Sequence, residues 1–123
     1  MEALFVESTA FTQVAEEYFG GDEAYSAFQH SLARLPESGR VIAGCGGLRK
    51  VRWTDPRRGK GKRGGLRIIY LHIPEAHQIL LLDVYDKDEA DDLSPADRAS
   101  PARLAAEYRA TVLANLRTRG RKR

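Results

Sequence analysis

"LRIIYLHIPEAHQILLLDVYD", residues 66–86, decides the fold, because it sets two β-forming runs back to back around a single turn. "LRIIYLHI" (66–73) is dense in β-branched and aromatic residues and "PEAH" (74–77) makes a turn. "QILLLDVYD" (78–86) is too apolar for an edge strand and too short for most helices. The two runs are therefore expected as adjacent antiparallel strands at the centre of a sheet. Upstream, "LRKVRW" (48–53) alternates Leu48, Lys50 and Arg52 against Arg49, Val51 and Trp53, which adds a third strand to the same meander. A half-buried strand sends one face to the core, so Lys50 and Arg52 share the face opposite Val51 and Trp53. By the same rule Arg67 lies with Ile69 and Leu71, a charged residue on a strand otherwise made for a core.

Outward from these strands the periodicity changes. "ALFVE" (3–7) is short and β-prone, and Ser8 or Thr9 after it caps a helix that puts Phe11, Val14, Ala15 and Tyr18 on one face. Gly20 and Gly21 end that helix; Asp22 is the expected N-cap of a second, which carries Ala24, Phe28, Leu32 and Leu35 at helical spacing until Pro36. Near the C-terminus, Ser94-Pro95 and Ser100-Pro101 each set a capping hydroxyl before a proline. Leu104, Tyr108, Val112 and Leu116 then recur every fourth residue, which predicts a helix from about Pro101 to Arg117 and a frayed basic tail over 118–123. The order is that of an α+β fold: a small antiparallel-dominated sheet with two N-terminal helices and a C-terminal helix. At 123 residues and 42% hydrophobic, the chain supports one domain, taken as 1–117.

The net charge of +3 conceals a segregation. Residues 1–40 hold seven acids against two bases, residues 41–82 hold nine bases against two acids, and residues 83–97 hold seven acids against Lys87 alone. The densest positive charge is "TDPRRGKGKRGG" (54–65), where glycines leave the backbone permissive between Arg57, Arg58, Lys60, Lys62 and Arg63. A flexible basic rim over Lys50, Arg52 and Arg67 suits a single-stranded polyanion better than a point ligand. Other chemistries find little support. The chain has no HExxH, Walker, GxSxG or strand-to-helix GxGxxG motif, and His30, His72 and His77 show no metal-ligand spacing. Cys45 is the lone cysteine, and the acidic run "DVYDKDEADD" (83–92) lacks the register and glycine of a calcium loop and reads as solvated acids before a helix. No metal or cofactor is expected. No run of about 18 apolar residues and no signal peptide is seen, which makes the cytoplasm the expected compartment and a membrane an unexpected partner.

Four stretches, in order and spacing, resemble the HigB-like branch of the RelE-type toxins of bacterial toxin–antitoxin pairs: "FVES" (5–8) followed by Phe11, "GGLRK" (46–50), "KGKRGGLRIIY" (60–70) and "LLLDVYDKDEADDLS" (80–94). The likeness spans roughly residues 3–98 and implies a microbial RNase fold, expression beside an antitoxin of helix-turn-helix type, and metal-independent cleavage of mRNA on the ribosome. It implies that Lys50, Arg52 and Arg67 occupy basic catalytic positions, with Arg67 clamping the transition state. The family's later arginine and tyrosine fall near Asp88 and Ser94, which cannot replace them; Lys87 and Tyr85 are the nearest substitutes. Lys62, with Lys60, serves either as a base or as a grip on RNA, and Arg49, Arg57, Arg58 and Arg63 complete the expected RNA- and ribosome-binding set. Two alternatives stay open at this stage: a ParE-like gyrase inhibitor, and a non-catalytic basic nucleic-acid-binding module.

Overall fold

β4 (Leu66–Ile73) is the central strand of a five-stranded sheet and pairs antiparallel with both β3 (Arg49–Trp53) and β5 (Gln78–Asp86). This computed structural model describes residues 3–54, 65–86 and 99–121. A two-residue strand, β2 (Arg40–Val41), adds antiparallel to β3, and β1 (Leu4–Glu7) closes the other side parallel to β5, giving the order β1-β5-β4-β3-β2. The meander and its central pair follow the sequence reading. β2 does not, since two residues carry no periodicity to read. Nor did any local signal tell that the first strand lies beside the last.

Helices cover both faces of the sheet, which is why β4 is buried at almost every position. On one face Leu66, Ile68 and Tyr70 join Ile79, Leu81 and Val84 beneath α1 (Thr9–Phe19) and α2 (Asp22–Arg34). Phe19 is the hub there, with ring centroids 5.1 Å from Tyr25, 5.4 Å from Phe28 and 6.3 Å from Phe11. Trp53 meets Phe28 edge-on at 5.3 Å, pinning β3 to α2. On the other face Ile69, Leu71, Ile73 and Leu80 pack with Ile42, Cys45 and Leu48 of the connection before β3 and with Ala105 and Val112 of α3 (Ala99–Arg121).

Local chemistry sets the helix ends. Ser8 caps α1 by accepting the Phe11 N–H at 3.1 Å, and Gly20 terminates it in the left-handed region at φ 74°. Gly21, at φ 144°, precedes α2; Asp22, expected as the N-cap, instead lies in the first turn with Glu23, where both complement the helix dipole. α3 corrects the expected C-terminal helix in two respects. It begins at Ala99, so Pro101 sits in the first turn where its missing N–H costs nothing, and it continues past Arg117 to Arg121 through the expected tail. Its buried contacts are Ala105 and Val112, while Leu104 is 45% exposed, so the packed stripe is rotated from the one read off the sequence. Among the described residues no helix is long and apolar enough to cross a membrane.

Candidate functional site

The register of three strands assembles a basic row. Arg52 of β3 is paired with Arg67 of β4, and Arg67 with Tyr85 of β5, so the three residues lie across the sheet on one rung and one face. The next rung carries Lys50, Ile69 and Asp83. At about 4.8 Å between strands and about 6.6 Å between same-face neighbours, these two rungs form a patch of roughly one nucleotide's dimensions. Arg52 is exposed, Lys50 and Tyr85 are half-buried, and Arg67 is only 7% exposed. Arg67 donates from Nη1 to the Leu66 carbonyl at 3.2 Å. Setting two arginines directly opposite one another is unfavourable by itself, because like charges across a strand pair repel.

Arg49 stands apart from this set. Strand alternation turns it to the opposite face, beside Tyr70, where its guanidinium donates to the carbonyls of Gly39 (2.9 Å) and Glu37 (3.2 Å). Tyr70 completes the same knot: its hydroxyl donates to the Pro36 carbonyl at 2.7 Å and accepts the Gly39 N–H at 2.9 Å. A Cβ on Gly39 would lie 2.8 Å from the Tyr70 ring, so only glycine lets the backbone approach this closely. Arg49 therefore fastens the connection between α2 and β2 to β3. The other expected residues, Arg57, Arg58, Lys60, Lys62, Arg63 and Lys87, lie outside the described residues, as do Asp88 and Ser94. The chain leaves the described residues after Thr54 and re-enters at Gly65, next to the Arg52–Arg67 rung.

A residue the sequence reading filed among solvated acids proves half-buried. The β4–β5 ladder shifts register between Ile69 and Tyr70, whose partners are Asp83 and Leu81, leaving Leu82 as the extra residue of a bulge. Ser8 holds the bulge in place, donating its hydroxyl to the Leu82 carbonyl at 2.6 Å and its N–H to the Leu81 carbonyl at 2.9 Å. The available signal was the run Leu80-Leu81-Leu82, which breaks the alternation of a regular strand. Burial raises the Asp83 pKa, and a hydrogen bond from the Val84 N–H to Oδ1 at 2.9 Å partly opposes the rise. Glu7 and Tyr108 border the same groove; the Glu7 carboxylate accepts from Thr12 and Tyr25, and the Tyr108 hydroxyl donates to Gln78.

The raised value has a consequence for stability. An unfolded aspartate titrates near 3.8, and between that pH and the raised folded value the folded chain binds more protons than the unfolded one. Stability contributed at Asp83 therefore falls as pH rises through this window. Urea unfolding at about pH 4 and about pH 6 is expected to show the wild type losing stability relative to Asp83→Asn across that interval, since the amide does not titrate. A constant difference between the two proteins would contradict a raised Asp83.

His30, distant in sequence from His72 and His77, lines a different groove with both. His30 of α2, His72 of β4 and His77 line about 970 Å³ on the α2 side of the sheet, together with Phe5 and Arg34. Burial holds the His72 pKa below the ordinary histidine value. Among the described residues no group of three or more His, Cys, Asp or Glu is arranged to hold a metal ion.

This architecture, an antiparallel-dominated five-stranded sheet with two N-terminal helices on one face and a C-terminal helix on the other, is a RelE-like fold. It is similar to the solved structure of the Escherichia coli toxin RelE, an arginine-to-alanine double mutant in the free state. The TM-score is 0.51 over 74% of this chain and 90% of that one, at 13% sequence identity. Likeness at that identity speaks to the fold alone. No protein-family model matches the chain.

Proposed function

We propose that the protein is a RelE-type toxin of a bacterial toxin–antitoxin pair, an endoribonuclease that cuts mRNA on the translating ribosome. The observation that carries this reading is the Arg52–Arg67–Tyr85 rung, with Lys50 beside it, on a RelE-like sheet. Arg52 and Arg67 are register partners on neighbouring strands, and a guanidinium presents paired N–H donors that match the oxygens of a phosphodiester. In the reaction proposed, the ribose 2′-oxygen attacks the adjacent phosphorus and the bond to the 5′-oxygen breaks, leaving a 2′,3′-cyclic phosphate and a 5′-hydroxyl. One group takes the 2′ proton and another protonates the leaving oxygen, while Arg67 and Arg52 stabilise charge on the non-bridging oxygens. Lys50, Lys62, Lys87 and Tyr85 are the candidates for proton transfer and for stacking on a base. Arg57, Arg58, Lys60 and Arg63 supply the salt-dependent grip on RNA. Arg49 is better assigned to the fold, given its bonds to Gly39 and Glu37.

The HigB-like branch, a cytoplasmic location and a helix-turn-helix antitoxin extend the same reading and rest on the motif resemblance. Induced expression in a bacterial host, with mapping of RNA 5′ ends, tests it. Growth arrest accompanied by new 5′-hydroxyl ends inside translated mRNA is the expected result. Arrest with intact mRNA and cleaved or relaxed plasmid would assign the protein to gyrase inhibition, and no arrest with salt-sensitive RNA binding would make it a non-catalytic module.

A further inference from the structure

Asp83 has no part in the reaction proposed above, yet the fold spends a bulge to aim it. Leu82 and Asp83 open onto the α3 side of the sheet, at a groove of about 700 Å³ floored by Ile69, Leu80 and Leu82 and bordered by Ser8, Thr9 and Tyr108. This size and an aliphatic floor rimmed by polar side chains suit a ring system with a polar edge. Asp83 supplies the directional group. Its Oδ1 accepts the Val84 N–H, and among the described residues no other hydrogen bond reaches this carboxylate. Glu7, the other carboxylate at the groove, is already engaged by Thr12 and Tyr25. The position is also specific: the rung of Asp83 is next to that of Arg67 and Tyr85. Two residues along a strand is about 6.6 Å, the order of the distance from a nucleotide's phosphate to its base.

We propose that this groove is a nucleobase site, which receives a base beside the scissile phosphate and selects one bearing an exocyclic amine. The ring lies on Leu80, Leu82 and Ile69, and the amine of adenine, cytosine or guanine donates to Asp83. Uracil fits poorly, because its single edge N–H is flanked by two carbonyl oxygens that the carboxylate repels. The polymer to which the base belongs rests on the nuclease reading; the site itself does not.

The test is a titration of the full-length ¹⁵N-labelled chain with AMP, CMP, GMP and UMP, followed by amide chemical shifts. Saturable shifts at Ser8, Thr9, Asp83 and Val84 are expected with the three amino-bearing nucleotides, and binding of UMP is expected to be about tenfold weaker, the worth of one hydrogen bond to a charged group. Asp83→Asn, which exchanges an acceptor for a donor, should narrow or reverse that preference. The comparison among nucleotides on the wild-type protein does not depend on how the variant folds. Equal affinity for UMP, shifts confined to Arg52, Arg67 and Tyr85, or no saturation by any nucleotide would overturn the site. A protein that fails to cleave RNA but discriminates against UMP in this groove would overturn the nuclease reading and leave the base site standing; a cleaving protein with an indifferent groove would do the reverse.

Discussion

Arg67→Ala is expected to abolish growth arrest and to lower the rate of RNA cleavage about 10²- to 10³-fold, the usual effect of removing one fixed donor aimed at developing charge. Arg67 is the residue of the row most enclosed by the fold, at 7% exposure, and its guanidinium is held toward the Leu66 carbonyl. A cation that is already oriented and partly dehydrated stabilises a transition state more than the exposed Arg52 beside it can, because water screens the latter. Arg67→Lys keeps the charge and loses the planar fork, so it should recover only part of the activity. Arg67 is buried and engaged within the fold, so Arg67→Ala is also expected to cost stability. Thermal unfolding of the variant separates the two effects: a folded Arg67→Ala protein that still arrests growth and cleaves mRNA would remove Arg67 from the chemistry.

Phe19→Ala is expected to destabilise the domain by about 3–5 kcal/mol, through lost transfer energy and the cavity left behind. Phe19 is 1% exposed and touches the rings of Phe11, Tyr25 and Phe28, which join α1 and α2 into one layer over the sheet. Against a total stability of about 5–15 kcal/mol, the loss is a large fraction. The midpoint of thermal unfolding should fall by more than about 10 °C. Leu35→Ala, at a position 67% exposed, is the matched control and should change it little. A Phe19→Ala midpoint within a few degrees of the control would show that the aromatic layer repacks and does not hold the helices on the sheet.

The fold was legible wherever one periodicity ran long enough. β4 and β5 are eight and nine residues of β-forming chain around a short turn, and the first two helices carry apolar residues at helical spacing between a serine cap, glycines and a proline. β2 and the parallel seat of β1 were not legible, since a two-residue strand has no period and strand neighbours far apart in sequence leave no local mark. In the candidate site, alternation was enough to put Lys50 and Arg52 on one face and Arg49 on the other. It could not say that Arg52, Arg67 and Tyr85 share a rung, because register between strands is set by turn lengths, by the bulge and by the cores on both faces.

Asp83 shows the division most directly. It opens the acidic run 83–92, whose composition reads as solvated, although Leu82 and Val84 flank it directly. The extra residue at Leu82, tied down by Ser8 from the far end of the chain, turns it instead into a half-buried groove. Residue order by itself determined which segments become helix or strand and which side chains share a face, since both follow from backbone geometry over a few residues. Only the tertiary structure decided which of those faces meet, which charges are buried and which polar groups are left facing a cavity, because these depend on contacts between residues up to 74 positions apart.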